Sequence, residues 1–588
     1  MSFWINYTKE IFFLFPLKKI KILIFIFLGL ISSLMDYIGL SVIGPFASLM
    51  VNKNEGSLLL NNIFLKTIID KIQLLVPGDL VLTMTVLIFF IFLLKTILVI
   101  WIYYLLIDIK FETSATLGTK LLQMFQTMSY KEYVGRSTAE FLQSVHHNVS
   151  GYSNVTMSYL RILVESIIIL AVVLFLTINQ GLVLFVAVLF FSAFVFLYYL
   201  IFKKKIIKLG EAIITSTKNQ IEAVKEGMEG FKEITISGKR NFFHDKFKKN
   251  AFALINVYNL KETLSFAPRY IIEFLCVSMV MSFSIYYYYS NVATSGYFFS
   301  NLAIFGFASL RLIPSFASIN TLLGIMLSGR KATSNIYKDI SRHSSDKIKQ
   351  VDKNNFEDKF ENLSFKNVSF SYSDPNKPVL AEMNFMIEKG KSVAFIGKSV
   401  SGKTTLLDLF LGLIKCHSGE ILTNKKFDIN KDLRSWYKKV YYLPQDKFLF
   451  NDTALNNIIL DINISKNIKN DKPNLKKLNE AIQLSRLDKF INELPNGLDT
   501  VIGERGITIS GGQRQRLVLA RALFHDREIL VLDEATSSLD NDLEDEINKS
   551  VNSLKGKKTI ILITHNLNLT KYCDHIYKLE NSRVTQIK

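Results

Sequence analysis

The strongest constraint on how this chain folds is a set of apolar runs ahead of position 330. Crossing a hydrocarbon layer of about 30 Å takes about 20 apolar helical residues. Six stretches reach that length, near 22–50, 80–107, 155–178, 181–202, 265–289 and 296–328. A backbone in lipid must satisfy its own hydrogen bonds, so each is expected as a helix. From 361 to 588 the sequence instead alternates short apolar and polar runs, as an α/β domain does. The expected chain is therefore multidomain: an all-α polytopic transmembrane domain over 1–335, a linker over 336–360 and a soluble α/β domain over 361–588. The first run, Ile22 to Met50, is longer than the core of a secretory signal and lacks a small-residue cleavage end, so it is expected to be retained.

Charge bears on partners. The chain carries 70 Lys and Arg against 51 Asp and Glu, a net charge of +19. The lysines cluster beside apolar spans, as in Lys18, Lys19 and Lys21 and again in Lys203, Lys204 and Lys205. That placement follows the positive-inside pattern, so a lipid bilayer is the expected partner and nucleic acid is not. With the N-terminus and the soluble domain cytoplasmic, 51–79, 179–181 and 291–295 face outward, and Tyr286 to Tyr289 fall at the outer interface. The inward segments 108–154 and 203–264 are rich in Lys and Glu and are expected to continue the spans as cytoplasmic helices. Segment 58–76 has an amphipathic pattern, open between an interfacial helix and a packed loop helix. The cysteines Cys276, Cys416 and Cys573 have neither zinc nor disulfide spacing.

Six ionisable residues interrupt the oil: Asp36, Lys95, Glu165, Arg269, Glu273 and Arg311. Charges in lipid are costly, so they are expected to face the bundle interior or a wet cavity. Lys95, Arg269 and Arg311 suit an anionic substrate. Pairing of Arg269 with Glu273 and of Lys95 with Asp36 is the structural alternative, and the sequence leaves both open.

In the soluble part, the apolar run Ser392 to Ile396 leads into Gly397-Lys398-Ser399-Val400-Ser401-Gly402-Lys403-Thr404, then Thr405. A GxxxxGK[ST] loop between strand and helix wraps phosphates with its backbone N–H groups. Lys403 is expected at the β and γ phosphates of ATP, and Thr404 at Mg²⁺. A second apolar strand, Ile529 to Leu532, ends in Asp533-Glu534, placing one carboxylate for Mg²⁺ and one for the attacking water.

Ile509-Ser510-Gly511-Gly512-Gln513, opening a helix shortly before that strand, makes the resemblance to the ABC transporter superfamily specific. In that family the motif usually starts with Leu and meets the γ-phosphate held by the opposite subunit. Further matches follow in order. Tyr372 resembles the adenine-stacking aromatic and Gln445 the Mg²⁺-sensing glutamine. Gly503-Glu504-Arg505-Gly506 resembles the segment joining that glutamine to the signature motif. Ser538-Leu539-Asp540 resembles the turn crossing the dimer interface, and His565 the switch histidine. The resemblance implies catalytic roles for Glu534, His565 and Gln445, and ATP contacts from Tyr372, Gly397 to Thr405, Ser510 to Gln513 and Asp540. It also implies Mg²⁺ at Thr404, Gln445 and Asp533. One phosphate loop and one signature motif per chain imply two chains, most simply a homodimer.

Spans placed ahead of a single nucleotide domain resemble the six-helix exporters, and Tyr133 to Val149 resembles their first coupling region. The membrane half is similar to flippases for lipid-linked oligosaccharides of the bacterial inner membrane. That similarity rests on Ser41 to Phe46, Ala267-Pro268-Arg269, Leu310 to Pro314 and the segment after the first span. It implies a polyprenyl-pyrophosphate glycan as cargo, held at Lys95, Arg269 and Arg311. The rival cargoes are hydrophobic drugs, lipid A-type lipids or peptides.

Overall fold

The structure is a computed structural model of the chain. It describes all residues except 1, 16–18, 52–79, 181, 290–295, 348–358, 373, 375–376, 399–400, 504–508, 535–548 and 566–569, and within helices omits some further side chains, including 176–191. Segment 58–76, Glu504 to Gly506, Ser538 to Asp540, Ser399 and Val400 thus lie outside the described residues. The chain divides into two compact units, one of Met1–Met128 and Glu132–Lys349 and one of Ser129–Lys131 and Gln350–Lys588.

The first unit is helical. Its main elements are α1 (Ser2–Leu14), α2 (Lys19–Val51), α3 (Leu80–Gln126), α4 (Val149–Gln180), α5 (Leu182–Glu229), α6 (Arg240–Tyr289), α7 (Gly296–Ser328) and α8 (Arg330–Lys347). Among the described residues, four stretches are long and apolar enough to cross a membrane: Ile20–Ala47, Val81–Gln126, Thr138–Phe175 and Ser309–Ser328. The remaining expected spans, 181–202 and 265–289, lie on α5 and α6, where part of the side chains is not described. Packing runs through apolar clusters. Phe25 and Leu28 of α2 meet Ile102, Leu106 and Ile109 of α3 and Leu160, Val164 and Ile168 of α4. On the other side of α3, Phe89, Phe90, Ile97, Ile100 and Trp101 are all more than half exposed, an apolar face suited to hydrocarbon and untenable in water. The segments expected to extend the spans are helical: α3 runs on to Gln126 and α5 to Glu229.

Two helices depart from the sequence expectation. α1 was not anticipated, because Lys9 and Glu10 interrupt its hydropathy; yet Tyr7, Ile11 and Leu14, three or four residues apart, are buried as a stripe. Tyr7 donates to the Met326 carbonyl at 2.6 Å, and Arg330 donates to Glu10 at 2.9 Å. α8 continues helically to Lys347, where a linker was expected from 336. Its Ile336 and Ile340, one turn apart, bury against Leu117 and Leu121, so packing overrides the polar composition.

Among the described residues the second unit holds twelve strands: β1 (Asn362–Phe370), β2 (Leu380–Glu388), β3 (Ser392–Gly397), β4 (Ser418–Thr423), β5 (Phe427–Asp428), β6 (Val440–Leu443), β7 (Asp452–Thr453), β8 (Val501–Ile502), β9 (Ile529–Asp533), β10 (Thr559–Ile563), β11 (His575–Glu580) and β12 (Arg583–Gln586). They form an antiparallel sheet β2-β1-β4-β5, a six-stranded sheet β12-β11-β3-β10-β9-β6 and the pair β7-β8. In the six-stranded sheet β11, β3, β10, β9 and β6 run parallel, and β3, β9 and β10 read as nearly unbroken buried apolar runs. Strands covered on both faces require that pattern. Ligands of such sheets bind beyond the carboxyl ends of the strands. The register sets those ends level: Ile563 pairs with both Phe395 and Asp533, and Leu443 with Leu532.

Candidate functional site

β3 ends at Gly397, and α9 (Lys403–Phe410) starts after Gly402. Glycine is required at both ends of this loop. A β-carbon on Gly397 would stand 2.6 Å from Ser401 Oγ and 2.7 Å from the Leu579 carbonyl oxygen; Gly402 has φ +99° and would meet Leu380 at 3.0 Å. Lys403 Nζ donates to the carbonyls of Gly397 at 2.7 Å and Lys398 at 2.8 Å, so the ammonium is held across the loop. Thr404 is exposed, while Thr405 is buried with its hydroxyl 3.0 Å from Tyr372 Oη. That bond tethers Tyr372 to the first turn of α9 and leaves its ring 63% exposed, accessible to a stacking partner.

The neighbouring strand ends bring the three expected catalytic residues together. Glu534 Oε2 accepts from Gln445 Nε2 at 2.7 Å, and Oε1 lies 2.9 Å from His565 Nδ1. The Glu534 backbone N–H donates to Ile563 at 2.9 Å, and its φ of +48° is left-handed, a conformation that costs a non-glycine residue about 1–2 kcal/mol. The carboxylate is thereby turned out from the end of β9. Asp533 accepts from Tyr442 at 3.1 Å. Burial raises the Asp533 pKa above the ordinary carboxylate range, with the Glu534 charge adding to it and the Tyr442 hydroxyl and Lys403 opposing. Tyr442 escaped the sequence analysis because its role depends on β6 lying beside β9.

Among the described residues no group of three His, Cys, Asp or Glu could hold a metal by itself. Thr404, Gln445 and Asp533 offer hard oxygen donors that fit Mg²⁺, an ion usually bound by one or two carboxylates with the rest of its shell from phosphate and water.

The signature segment caps a helix. Ser510 is the N-cap of α10 (Gly511–Phe524), its Oγ accepting from Gln513 N–H at 3.2 Å while Gln513 Oε1 accepts from Ser510 N–H at 2.8 Å. Two small glycines at the helix start leave the N-terminal amides approachable by an anion. Farther along α10, buried Arg521 donates to the carbonyls of Asn457 at 2.6 Å and Phe448 at 3.1 Å. It ties the signature helix to the segment that follows Gln445.

Asp408 of α9 is another group the sequence did not flag. Burial, with Asp533 adding, pushes its pKa up to about 6. The folded state then binds more protons than the unfolded chain between the ordinary Asp value of about 4 and that raised value. Its stabilising contribution is present below about pH 4 and is lost as pH rises through about 6. Asp408→Asn is expected to stabilise this unit by about 1–2 kcal/mol at pH 7.5 and to have no such effect at pH 4. Amide exchange across 403–410 in the full chain, compared at each pH, checks this.

In the membrane unit, Asp36 accepts from Lys95 and from Arg311 Nε, the latter at 3.0 Å. Arg269 is not part of this cluster: its side chain is exposed and stands 3.7 Å from Glu273. Both pairings anticipated as the structural alternative are therefore present. Of the three cations expected to hold the cargo, the structure unites two.

Residues 380–537 match the ABC transporter family model. Proteins named ATP-dependent lipid A-core flippase are similar over 224 residues: 37% identical in Vibrio vulnificus (strain YJ016) and Escherichia coli (strain K12) and 38% in Pasteurella multocida (strain Pm70). Each match spans 38% of this chain and 37% of the relative. Along nearly its full length the chain is similar to the structure of a bacterial Atm1-family ABC exporter with ATP bound, with a TM-score of 0.76 and 20% identity, covering 97% of this chain and 95% of that one. Residues 380–537 thus carry an ABC transporter domain, on a chain whose fold is that of an ABC exporter.

Proposed function

We propose that this chain is an ATP-hydrolysing exporter with six membrane spans that works as a homodimer in the bacterial inner membrane. Its cargo is a polyprenyl-pyrophosphate glycan carried from the inner to the outer leaflet. The observation that carries the hydrolytic part is Glu534, held between Gln445 and His565 at the strand ends beside Lys403. In this mechanism Lys403 turns from the loop carbonyls to the β and γ phosphates, and Tyr372 stacks on adenine. Ser510 to Gln513 of a second copy close over the γ-phosphate. Glu534 orients the attacking water and takes its proton, Gln445 fixing one carboxylate oxygen and His565 the other. Bound Mg²⁺ would neutralise charge on the phosphates, with Thr404, Gln445 and Asp533 as its protein ligands. Asp540 would close the interface between copies. Closure and reopening of the paired nucleotide units would switch the membrane cavity between its two faces through Tyr133 to Val149.

The cargo reading is supported by cations inside the membrane unit, since guanidinium binds phosphate oxygens in a two-pronged geometry. A lipid A-type cargo is the second reading, favoured by the names of the relatives, and it too presents phosphate. Flipping of a fluorescent pyrophosphate-linked glycolipid in proteoliposomes, run beside a lipid A analogue, tests both. The variant Lys95→Ala, Arg269→Ala, Arg311→Ala is expected to lower glycolipid flipping at least about tenfold, each lost charge-assisted bond being worth about 1.5–3 kcal/mol. Flipping at the parental rate would remove these cations from the cargo site.

A further inference from the structure

Asp36 ties together three helices, with one carboxylate oxygen on Lys95 of α3 and the other on Arg311 of α7. Segments 36–51, 80–95 and 296–311 are equal in length, so all three charges sit at one depth, about 22 Å from the ends at Val51, Leu80 and Gly296 at ~1.5 Å per residue. The surroundings are apolar. Leu40, one turn beyond Asp36, and Leu312, next to Arg311, belong to a buried cluster with Phe175 and Phe316. Lys95 Nζ lies 5.3 Å from the centre of the Phe92 ring.

Two cations on one carboxylate leave a positive charge over, and among the described residues no second carboxylate pairs with either. An unbalanced charge in such surroundings is costly and attracts an anion. The donor arrangement points the same way. Arg311 gives only Nε to Asp36, and its two terminal nitrogens have no partner among the described residues. Its side chain is 29% exposed, whereas that of Asp36 is 6% exposed. An accessible two-pronged donor, backed by excess charge, lies over a carboxylate that is shut away.

We propose that Asp36 determines how tightly this site holds its cargo, by acting as an internal counter-anion that competes with a phosphate or pyrophosphate headgroup for Lys95 and Arg311. The inference rests on the proposed export of an anionic lipid. One headgroup charge is met by the free fork of Arg311 and the surplus positive charge. A bond to Arg311 Nε must displace Asp36, and a bond to Lys95 shares the ammonium's charge with it, so the carboxylate weakens binding and returns fully to both cations as the headgroup departs. The site can therefore empty on the far side of the membrane without stranding two bare cations.

The test titrates full-length protein in nanodiscs with a polyprenyl pyrophosphate and, separately, with inorganic pyrophosphate. Asp36→Asn is expected to bind the lipid about tenfold more tightly than the parent, the loss of one charge-assisted competitor, and to flip it more slowly in liposomes. Asp36→Glu should stay near the parent. Tightening for inorganic pyrophosphate as well would assign recognition to the phosphate groups alone, and tightening for the lipid only would assign it to the headgroup presented from the bilayer; both support the proposal. Asp36→Asn with Lys95→Gln restores the parental net charge, keeps the Arg311 fork and should bind near the parental affinity, which decides the matter if the single variant does not fold. Unchanged or weaker binding by folded Asp36→Asn, or loss of binding in the double variant, overturns the counter-anion role while leaving the cargo reading intact. A parent that binds neither probe overturns both.

Discussion

Glu534→Gln is expected to lower ATP turnover about 10²–10⁴-fold, the span that general-base assistance contributes, while nucleotide affinity stays close to that of the parent. The amide keeps the size of the side chain and its capacity to bond Gln445 and His565, but it cannot take a proton from water. The phosphate loop and Lys403 are untouched, so binding persists and the closed state accumulates. Steady-state phosphate release in proteoliposomes, beside titration calorimetry with ATP and Mg²⁺, separates the two quantities. Turnover at the parental rate would show that the carboxylate flanked at 2.7 Å by Gln445 and at 2.9 Å by His565 is a structural pair and that another group orients the water.

Lys403→Ala is expected to act at the other stage, weakening ATP binding about 100-fold. Two charge-assisted bonds to phosphate oxygens at about 1.5 kcal/mol each amount to roughly that factor. Lys403 now bonds the carbonyls of Gly397 and Lys398. Those bonds lie near the surface, where water can replace the ammonium, so the fold should persist. Calorimetric titration with ATP reads the effect directly. Unchanged affinity would mean that this loop is not where the phosphates bind.

The nucleotide site was legible in the sequence to the extent that it is local. A buried strand, a glycine-framed loop and a helix start follow one another along the chain, and backbone geometry then dictates what stands at Gly397 and Gly402. The sequence singled out Glu534, Gln445 and His565, but not the distances at which they meet. Tyr442 and Asp408 were not legible, because what makes them matter is which strand lies beside which. The helix positions followed from length and hydropathy, with α2 and α7 close to the expected runs. α1 and the far end of α8 were missed because their buried stripes are short and set among charges. In the membrane unit the sequence suggested that Asp36 pairs with Lys95; the second bond, to Arg311, spans 275 positions and exists only once α2 and α7 pack together.

The left-handed backbone at Glu534 bears on how this chain tolerates change. Relief of that torsion alone would favour glycine there, yet glycine carries no carboxylate. On the proposed role of Glu534, selection for folding and selection for hydrolysis pull in opposite directions at a single codon. On that reading, the end of β9 is a place where a sturdier protein would be an idle one.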